Sequence, residues 1–502
     1  MQDWLKEELQ GFDAGDQRLN ERFELIMRRL SDKPTMSIPA ACNSWNETLA
    51  TYRFFDNASV SPEQILSPHR EATVRRIAQH PVVVVAQDTT TLNLTKPSDQ
   101  MKGTGPLSDE HNHGMFNHVG LAISTDGVAL GVVEAEYWAR DWETFFSNKQ
   151  LTKSEKAIKR RETPFLEKES ARWLRGYQAG CELAQQNPQT QIVVVSDSEA
   201  DLLDCIAYAQ QSKASASSSA DWITRAYQDR CLPKGETHPK LWDACEAAPV
   251  RTTIEIEVSE NDPESGDKTK RNQSRTARTT QAEVRAITIT LPGQPRVEGN
   301  IGPQVVNVVY VREIKPPEGE KPVEWLLLTN LPIDSIEEIQ LVIDYYVLRW
   351  KIELYFRILK VGCGVEKLQF EQLERYQRCL AVYMVVAWRV FYVMMLGREC
   401  PEIPCDCVFS PEEWKSVYKV VHRKEPPKTP PPLGEMVVLV AKLGGYLGRK
   451  HDGPPGPQTT WIGMQRMKDF ALAWLLFQSP PTDESAASNE TPRQKTAEAI
   501  YV

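Results

Sequence analysis

Two runs of β-branched residues each drive into an aspartate, and nothing else in the chain limits its fold so strongly. The first is Pro81-Val-Val-Val-Val-Ala-Gln-Asp88-Thr-Thr-Thr and the second Gln191-Ile-Val-Val-Val-Ser-Asp197-Ser-Glu-Ala-Asp201. Unbroken Val/Ile runs predict strands buried on both faces, so the sheet that holds them must be covered on both sides. Each aspartate comes where the apolar run stops, which predicts a carboxylate at the strand's exit from the core, on the sheet's ligand-binding edge. Taken singly, either aspartate is equally a cap for the turn that follows.

A third carboxylate lies in the run Asp344-Tyr-Tyr-Val-Leu-Arg-Trp-Lys-Ile-Glu-Leu-Tyr-Phe-Arg-Ile-Leu-Lys360. At ~100° per residue, Tyr346, Arg349, Glu353 and Lys360 fall at about 0°, 300°, 340° and 320°, on one helical face roughly 60° wide. A stripe of this kind is often no more than a solvated charged face. Beside Asp88 and Asp197, however, Glu353 completes a set of two strand-end aspartates and one helical glutamate. That oxygen-only set is what a pair of hard divalent cations needs.

The order of elements points to an α/β fold. Val119 to Ile123 and Ala129 to Tyr137 read as antiparallel neighbours of the Asp88 strand, and a helical region around Glu167 to Leu183 precedes the Asp197 strand. This is the order of a ribonuclease H-like core, a helix-flanked sheet with its carboxylates at one edge. About 150 residues separate Asp197 from Glu353, far more than a connection needs. Alternating runs at Thr252 to Val258, Val305 to Val311 and Trp325 to Thr329 predict a β-rich insertion there, over about 206–335.

Length and composition are those of a soluble protein of several domains, with 502 residues, 41% hydrophobic and 25% charged. The acidic, amphipathic start Met1-Gln-Asp-Trp-Leu-Lys-Glu-Glu is unlike a signal peptide, and the apolar run Leu380 to Leu396 contains Arg389 and is short for a bilayer. A buried helix and a cytoplasmic location are expected, with no membrane partner. The ten cysteines lack metal-ligand spacing, including Cys400, Cys405 and Cys407, and are expected as reduced thiols. His111 and His113 read as loop residues, and His118 has no assigned role.

A net charge of -9 does not exclude nucleic acid, because local basic faces release counterions on an acidic protein too. On a helix beginning after Gly15, Arg18, Arg22 and Arg29 fall at about 0°, 40° and 20°. A second helix, from near Asn43 to Asn57, carries Arg53. Lys268, Lys270, Arg271, Arg275 and Arg278 form another basic stretch, in a polar segment that reads as a loop or hairpin tip.

With these residues in view, the chain resembles DDE transposases of the bacterial cut-and-paste insertion-sequence group, which includes the transposase of the composite kanamycin-resistance transposon. Tyr346, Arg349, Glu353 and Lys360, with two, three and six residues between them, match that group's Tyr-Arg-Glu-Lys signature. So do the segments Gln87-Asp88-Thr-Thr-Thr, Glu167-Lys-Glu-Ser-Ala-Arg-Trp173, Asp197-Ser-Glu-Ala-Asp201, Glu324-Trp-Leu-Leu-Leu-Thr329 and Leu443-Gly-Gly-Tyr446, so that the similarity runs to about residue 478. Ser198 departs from the group's best-known relative, which has an arginine beside its second aspartate.

The resemblance implies an organisation and a chemistry. A helical DNA-end-binding domain would cover 1–70, the catalytic core 71–396 and a helical dimerisation region 397–478, before a disordered tail over 479–502. Asp88, Asp197 and Glu353 would hold two Mg²⁺ ions per site, with Mn²⁺ able to substitute. Trp325 would stack on a base turned out of the duplex. Tyr346 and Arg349 would hold the adjoining phosphate, Lys360 another, and Arg18, Arg22, Arg29, Arg53 and the basic loop the transposon end. The partners would be double-stranded DNA, as ends and target, and a second protomer, with hairpin ends as intermediates. A two-metal DNA nuclease without strand transfer, or a domesticated non-catalytic DNA-binding protein or inhibitor, are the alternatives.

Overall fold

The computed structural model describes residues 4–96, 101–215, 218–258 and 275–478. Its centre is a sheet of ten strands: β1 (Val82–Asn93), β2 (Gly105–Pro106), β3 (His113–Ser124), β4 (Ala129–Trp138), β5 (Gln191–Ser196), β6 (Asp221–Arg225), β7 (Val250–Val258), β8 (Arg278–Leu291), β9 (Gln304–Glu313) and β10 (Glu324–Thr329). The order is β2-β3-β1-β5-β6-β10-β9-β8-β7, and β4 also pairs with β3. β1, β5 and β6 are parallel, while β3 and β4 form an antiparallel flank. Val83, Val84 and Val85 of β1 and Val193, Val194 and Val195 of β5 are all buried, as two-sided strands require.

The strands expected as an insertion extend this same sheet. β10 pairs antiparallel with β6 through Leu327, Leu328 and Thr329, and β9, β8 and β7 follow outward. β6 would otherwise be an open edge, and pairing satisfies its backbone groups.

Helices pack against the sheet and against one another. Gln17–Asp32, capped by Asp16, buries Phe23, Ile26, Met27 and Leu30 at helical spacing. Trp45–Asp56, capped by Ser44, packs against it, with the Phe23 and Phe54 rings stacked at 5.8 Å. Both join one core with the long helix Leu373–Glu399, whose Arg378 donates to the carbonyls of Val60 and Phe55. That 27-residue helix is long and apolar enough to cross a membrane, yet it is mostly buried among the fold's own elements.

Two expected boundaries fall within helices. Residue 70 lies inside Pro62–Ile77 and residue 396 inside Leu373–Glu399, so neither point is a linker. In Pro457–Gln478, Met467 and Ala471 are buried, while Leu472, Leu476 and Phe477 are exposed, Phe477 by 89%. All ten cysteines are free thiols. The expected tail, 479–502, lies outside the described residues.

Candidate active site

Asp88 does not stand at the end of its strand. β1 continues five residues further to Asn93, paired with β3 throughout, whereas its pairing with β5 stops at Ala86 opposite Val195. The aspartate therefore sits where the β5 side of β1 falls open, and Asp197 follows directly after the last residue of β5. The backbone N–H of Thr89 donates to Asp88 Oδ1 at 2.7 Å, and that of Glu199 to Asp197 Oδ1 at 2.8 Å.

The signature run is not one uninterrupted α-helix. Ile336–Leu348 opens with a capping box between Ser335 and Glu338, Arg349 is a junction, Trp350–Arg357 follows, and Ile358–Gly362 widens into a π turn closed by Cys363 N–H on the Ile358 carbonyl at 2.8 Å. A side chain at Gly362 would collide with the Trp461 ring, so the wide turn lies where Pro457–Gln478 packs closest. Lys360 also reaches β1, where a backbone carbonyl and a carboxylate engage it. Its Nζ donates to the carbonyl of Thr91 at 2.8 Å and lies 3.3 Å from Glu366.

Tyr346 and Arg349 point into the protein, 1% and 4% exposed. Arg349 Nη1 is 3.3 Å from Asp88 Oδ2 and Nη2 is 2.9 Å from Glu353 Oε1, so one guanidinium spans two of the three carboxylates. Arg349 Nε and the Tyr346 hydroxyl are both buried and, among the described residues, have no hydrogen-bond partner. The Trp325 ring, at the start of β10, lies 6.3 Å from that of Tyr346. Trp325, Tyr346 and Arg349 thus lead in a row to Asp88.

Burial pushes the Asp88 carboxyl up to about 7; Arg349 and the Thr89 N–H oppose this, and the negative charges of Asp197 and Glu353 add to it. Asp88 thus feels both of the other carboxylates, which the helical wheel alone did not require. Among the described residues, however, no three His, Cys, Asp or Glu side chains stand at metal-ligand spacing. The donor chemistry suits hard divalent cations, and the Arg349 guanidinium lies between Asp88 and Glu353, where positive charge is wanted.

A support behind the aspartates was not legible in the sequence. Arg172 Nε donates to Thr89 Oγ1 at 2.9 Å, and the Thr89 hydroxyl donates to His118 Nδ1, 2.8 Å away, because Gln87 Oε1 can only accept and so fixes the proton of the neutral ring on Nε2. His118 Nε2–H then donates to Gln87 Oε1 at 3.1 Å. Burial, with Arg172 and Arg175 nearby, pushes His118 down to about 3, so the ring is neutral. Arg172 also holds Glu199, beside Asp197, at 2.7 Å. Thr89 and Gln87 flank Asp88 in sequence, and that adjacency was the available signal.

The basic faces divide. Arg18 and Arg53 are exposed and Arg22 is half-buried. Arg29, expected on DNA, is instead bonded to Glu47 at 2.6 Å and ties the two amino-terminal helices together. Trp45, 72% exposed on the second of these helices, was missed. Arg275 is half-buried and Arg278 is held by Glu313 and Glu320, while Lys268, Lys270 and Arg271 lie outside the described residues.

Comparison with known families places matches on either side of this site. Residues 1–60 match the family model described as Transposase DNA-binding, and residues 385–474 match that of the Transposase Tn5 dimerisation domain. The two matches support a Tn5-type transposase that binds DNA and forms a homodimer.

Proposed function

We propose that the chain is a cut-and-paste DNA transposase of DDE type, in which Asp88, Asp197 and Glu353 hold two Mg²⁺ ions, with Mn²⁺ able to replace them. The observation that carries the reading is that one guanidinium joins Asp88 to Glu353, with Asp197 close enough to act on Asp88, between segments that match a transposase DNA-binding and a dimerisation domain. The strand order β4-β3-β1-β5-β6, antiparallel on one side and parallel on the other, supports a ribonuclease H-like core.

Bound divalent ions would supply activation of a water or a 3′ hydroxyl for in-line attack and would stabilise the leaving oxygen. The chain's own residues bind and orient. The unpaired Tyr346 hydroxyl and Arg349 Nε are two buried donors converging from one helix turn, which suits a phosphate oxygen of the transposon end. Trp325 beside them offers a ring on which an unstacked base can rest, worth ~1–3 kcal/mol. A phosphate on Arg349 Nε would share the guanidinium charge with Asp88 and Glu353, the residues that would hold the cations. Hairpin ends, a cytoplasmic location and one active site per protomer of a homodimer complete the reading by resemblance.

The test is a gel assay of labelled DNA carrying the element's ends, with Mg²⁺ or Mn²⁺, for wild type and Glu353→Ala. Metal-dependent excision and joining, both lost in the variant, is the expected result. Cleavage without joining would favour a two-metal nuclease, and end binding without cleavage a domesticated binder.

A further inference from the structure

Residues 139–171 leave the sheet and return to it at the catalytic edge. Trp138, the last residue of β4, pairs with Phe116, which pairs with Thr91, so the exit lies three residues past Asp88, or ~10 Å along the strands. The return is Arg172, bonded to Thr89 next to Asp88. Arg140 and Glu169 clasp the neck, with Arg140 Nη2 3.0 Å from both carboxylate oxygens, and Trp138 Nε1 donates to Glu169 at 2.8 Å. Beyond the neck stand two helices, Trp142–Gln150 and Lys153–Glu162, in which no residue is buried. After them Phe165 packs against Leu202 and Cys205, just past Asp197. The excursion therefore spans from the Asp88 side of the edge to the Asp197 side.

Its second helix is basic. Lys153, Lys156, Lys159, Arg160 and Arg161 face only Glu155 and Glu162, and the Glu155 carboxylate is taken by the capping box on Thr152. Lys153, Lys156 and Arg160 fall at about 0°, 300° and 340°, one face roughly 60° wide. All three are exposed, and among the described residues none is in an ion pair. The helix buries nothing in the core, which leaves its basic face open to a charged partner.

We propose that this face binds the backbone of target DNA during strand transfer. The identity of the duplex rests on the transposase reading above. The transposon end already has the amino-terminal helices and the Trp325, Tyr346 and Arg349 row, whereas target DNA must reach the same edge with any sequence. Exposed lysines and an arginine without base-reading geometry suit that task, because phosphate contacts carry no sequence information.

The test is the triple variant Lys153→Ala, Lys156→Ala, Arg160→Ala, with Lys156→Glu as a second, milder change. Three readouts are followed: end cleavage, joining to a plasmid target, and binding of a labelled duplex without end sequences across a salt series. Expected are cleavage within about twofold of wild type, joining lowered at least about tenfold, and a salt slope of duplex binding shallower by about 2–3. Lys156→Glu should show the same pattern, weaker. Joining equal to wild type, or cleavage and joining falling together, would overturn the proposal. A wild type that neither cuts nor joins would remove the transposase reading instead, and the duplex-binding series would still say whether this face holds DNA.

Discussion

Arg349 Nη1 stands 3.3 Å from Asp88 Oδ2, so a side chain from a helix junction reaches the middle of β1 and lies where a cation between carboxylates would lie. Nη2 holds Glu353 at the same time, and the group is almost fully buried, so salt screens it little. Removing it by Arg349→Ala leaves Asp88 and Glu353 without a counter-charge. Without DNA, the variant should bind Mn²⁺ several-fold more tightly than wild type by calorimetry, because the internal cation no longer competes. End cleavage should drop about 100-fold with the lost phosphate contact. Unchanged Mn²⁺ affinity would mean that the guanidinium does not compete for these oxygens.

Tyr346 allows stability to be separated from function. Its hydroxyl is buried and, among the described residues, without a partner, and such a group costs ~1–3 kcal/mol. Tyr346→Phe should therefore melt at the wild-type temperature or above it, while affinity for the transposon end falls about tenfold. A clear drop in melting temperature would show that the hydroxyl is bonded within the protein.

The contrast between the two faces of this helix explains what sequence reasoning reached and what it missed. The Val runs and the helix start near Asn43 are local signals, and they place β5, the body of β1 and one amino-terminal helix, though β1 runs on past Asp88 to Asn93. A helical wheel puts Tyr346, Arg349 and Glu353 on one side but cannot say whether that side meets water. Here it meets β1 and β10. The π turn at Ile358–Gly362 lies against Trp461, about a hundred residues away, a contact that no local pattern encodes. The same holds for Arg172, Thr89 and His118, which come from three elements and meet only after folding.

Acid should loosen the short helix Trp4–Glu8 from the core. His69 Nε2 accepts from the Val132 N–H at 2.9 Å, so Nδ1 carries the proton and donates to Glu8. Burial pushes His69 below its usual 6.5; Glu8 opposes this, and Arg76 and Arg70 add to it. For Glu8, burial would raise the carboxyl, but His69 and Arg76 overcome that and hold it below 4.5. Both folded pKa values lie below the unfolded ones, so the unfolded chain binds more protons and stability rises with pH. The His69 contribution is lost as pH falls below about 6.5, and the Glu8 contribution as it falls below 4.5. Denaturant melts should show this loss between pH 7 and 4. Glu8→Gln should cost about 3 kcal/mol at pH 7 and flatten the acid end of the curve. Wild-type stability that stays level over this range would refute the assignment.

Gly176 tests whether the support behind Asp88 matters to catalysis. A Cβ there would lie 2.1 Å from Gln87 Oε1 and 3.2 Å from His118 Nε2, so Gly176→Ala must push the Gln87 side chain off the histidine. His118 Nε2–H would then be buried without an acceptor, at ~1–3 kcal/mol, against a helix-propensity gain of ~1 kcal/mol for alanine over glycine. The balance predicts a modest net loss of stability. The larger effect should be on rate, because the freed imidazole loosens Thr89 and with it the N–H that holds Asp88 Oδ1. DNA-end affinity should stay near wild type, since no residue of the Trp325, Tyr346 and Arg349 row is touched, while cleavage slows about tenfold or more. Gln87→Ala in the Gly176→Ala background relieves the clash but not the missing acceptor, so it should restore packing without restoring rate. If Gly176→Ala alone melts at or above wild type and cleaves normally, the Gln87 to Arg172 chain is packing and nothing more.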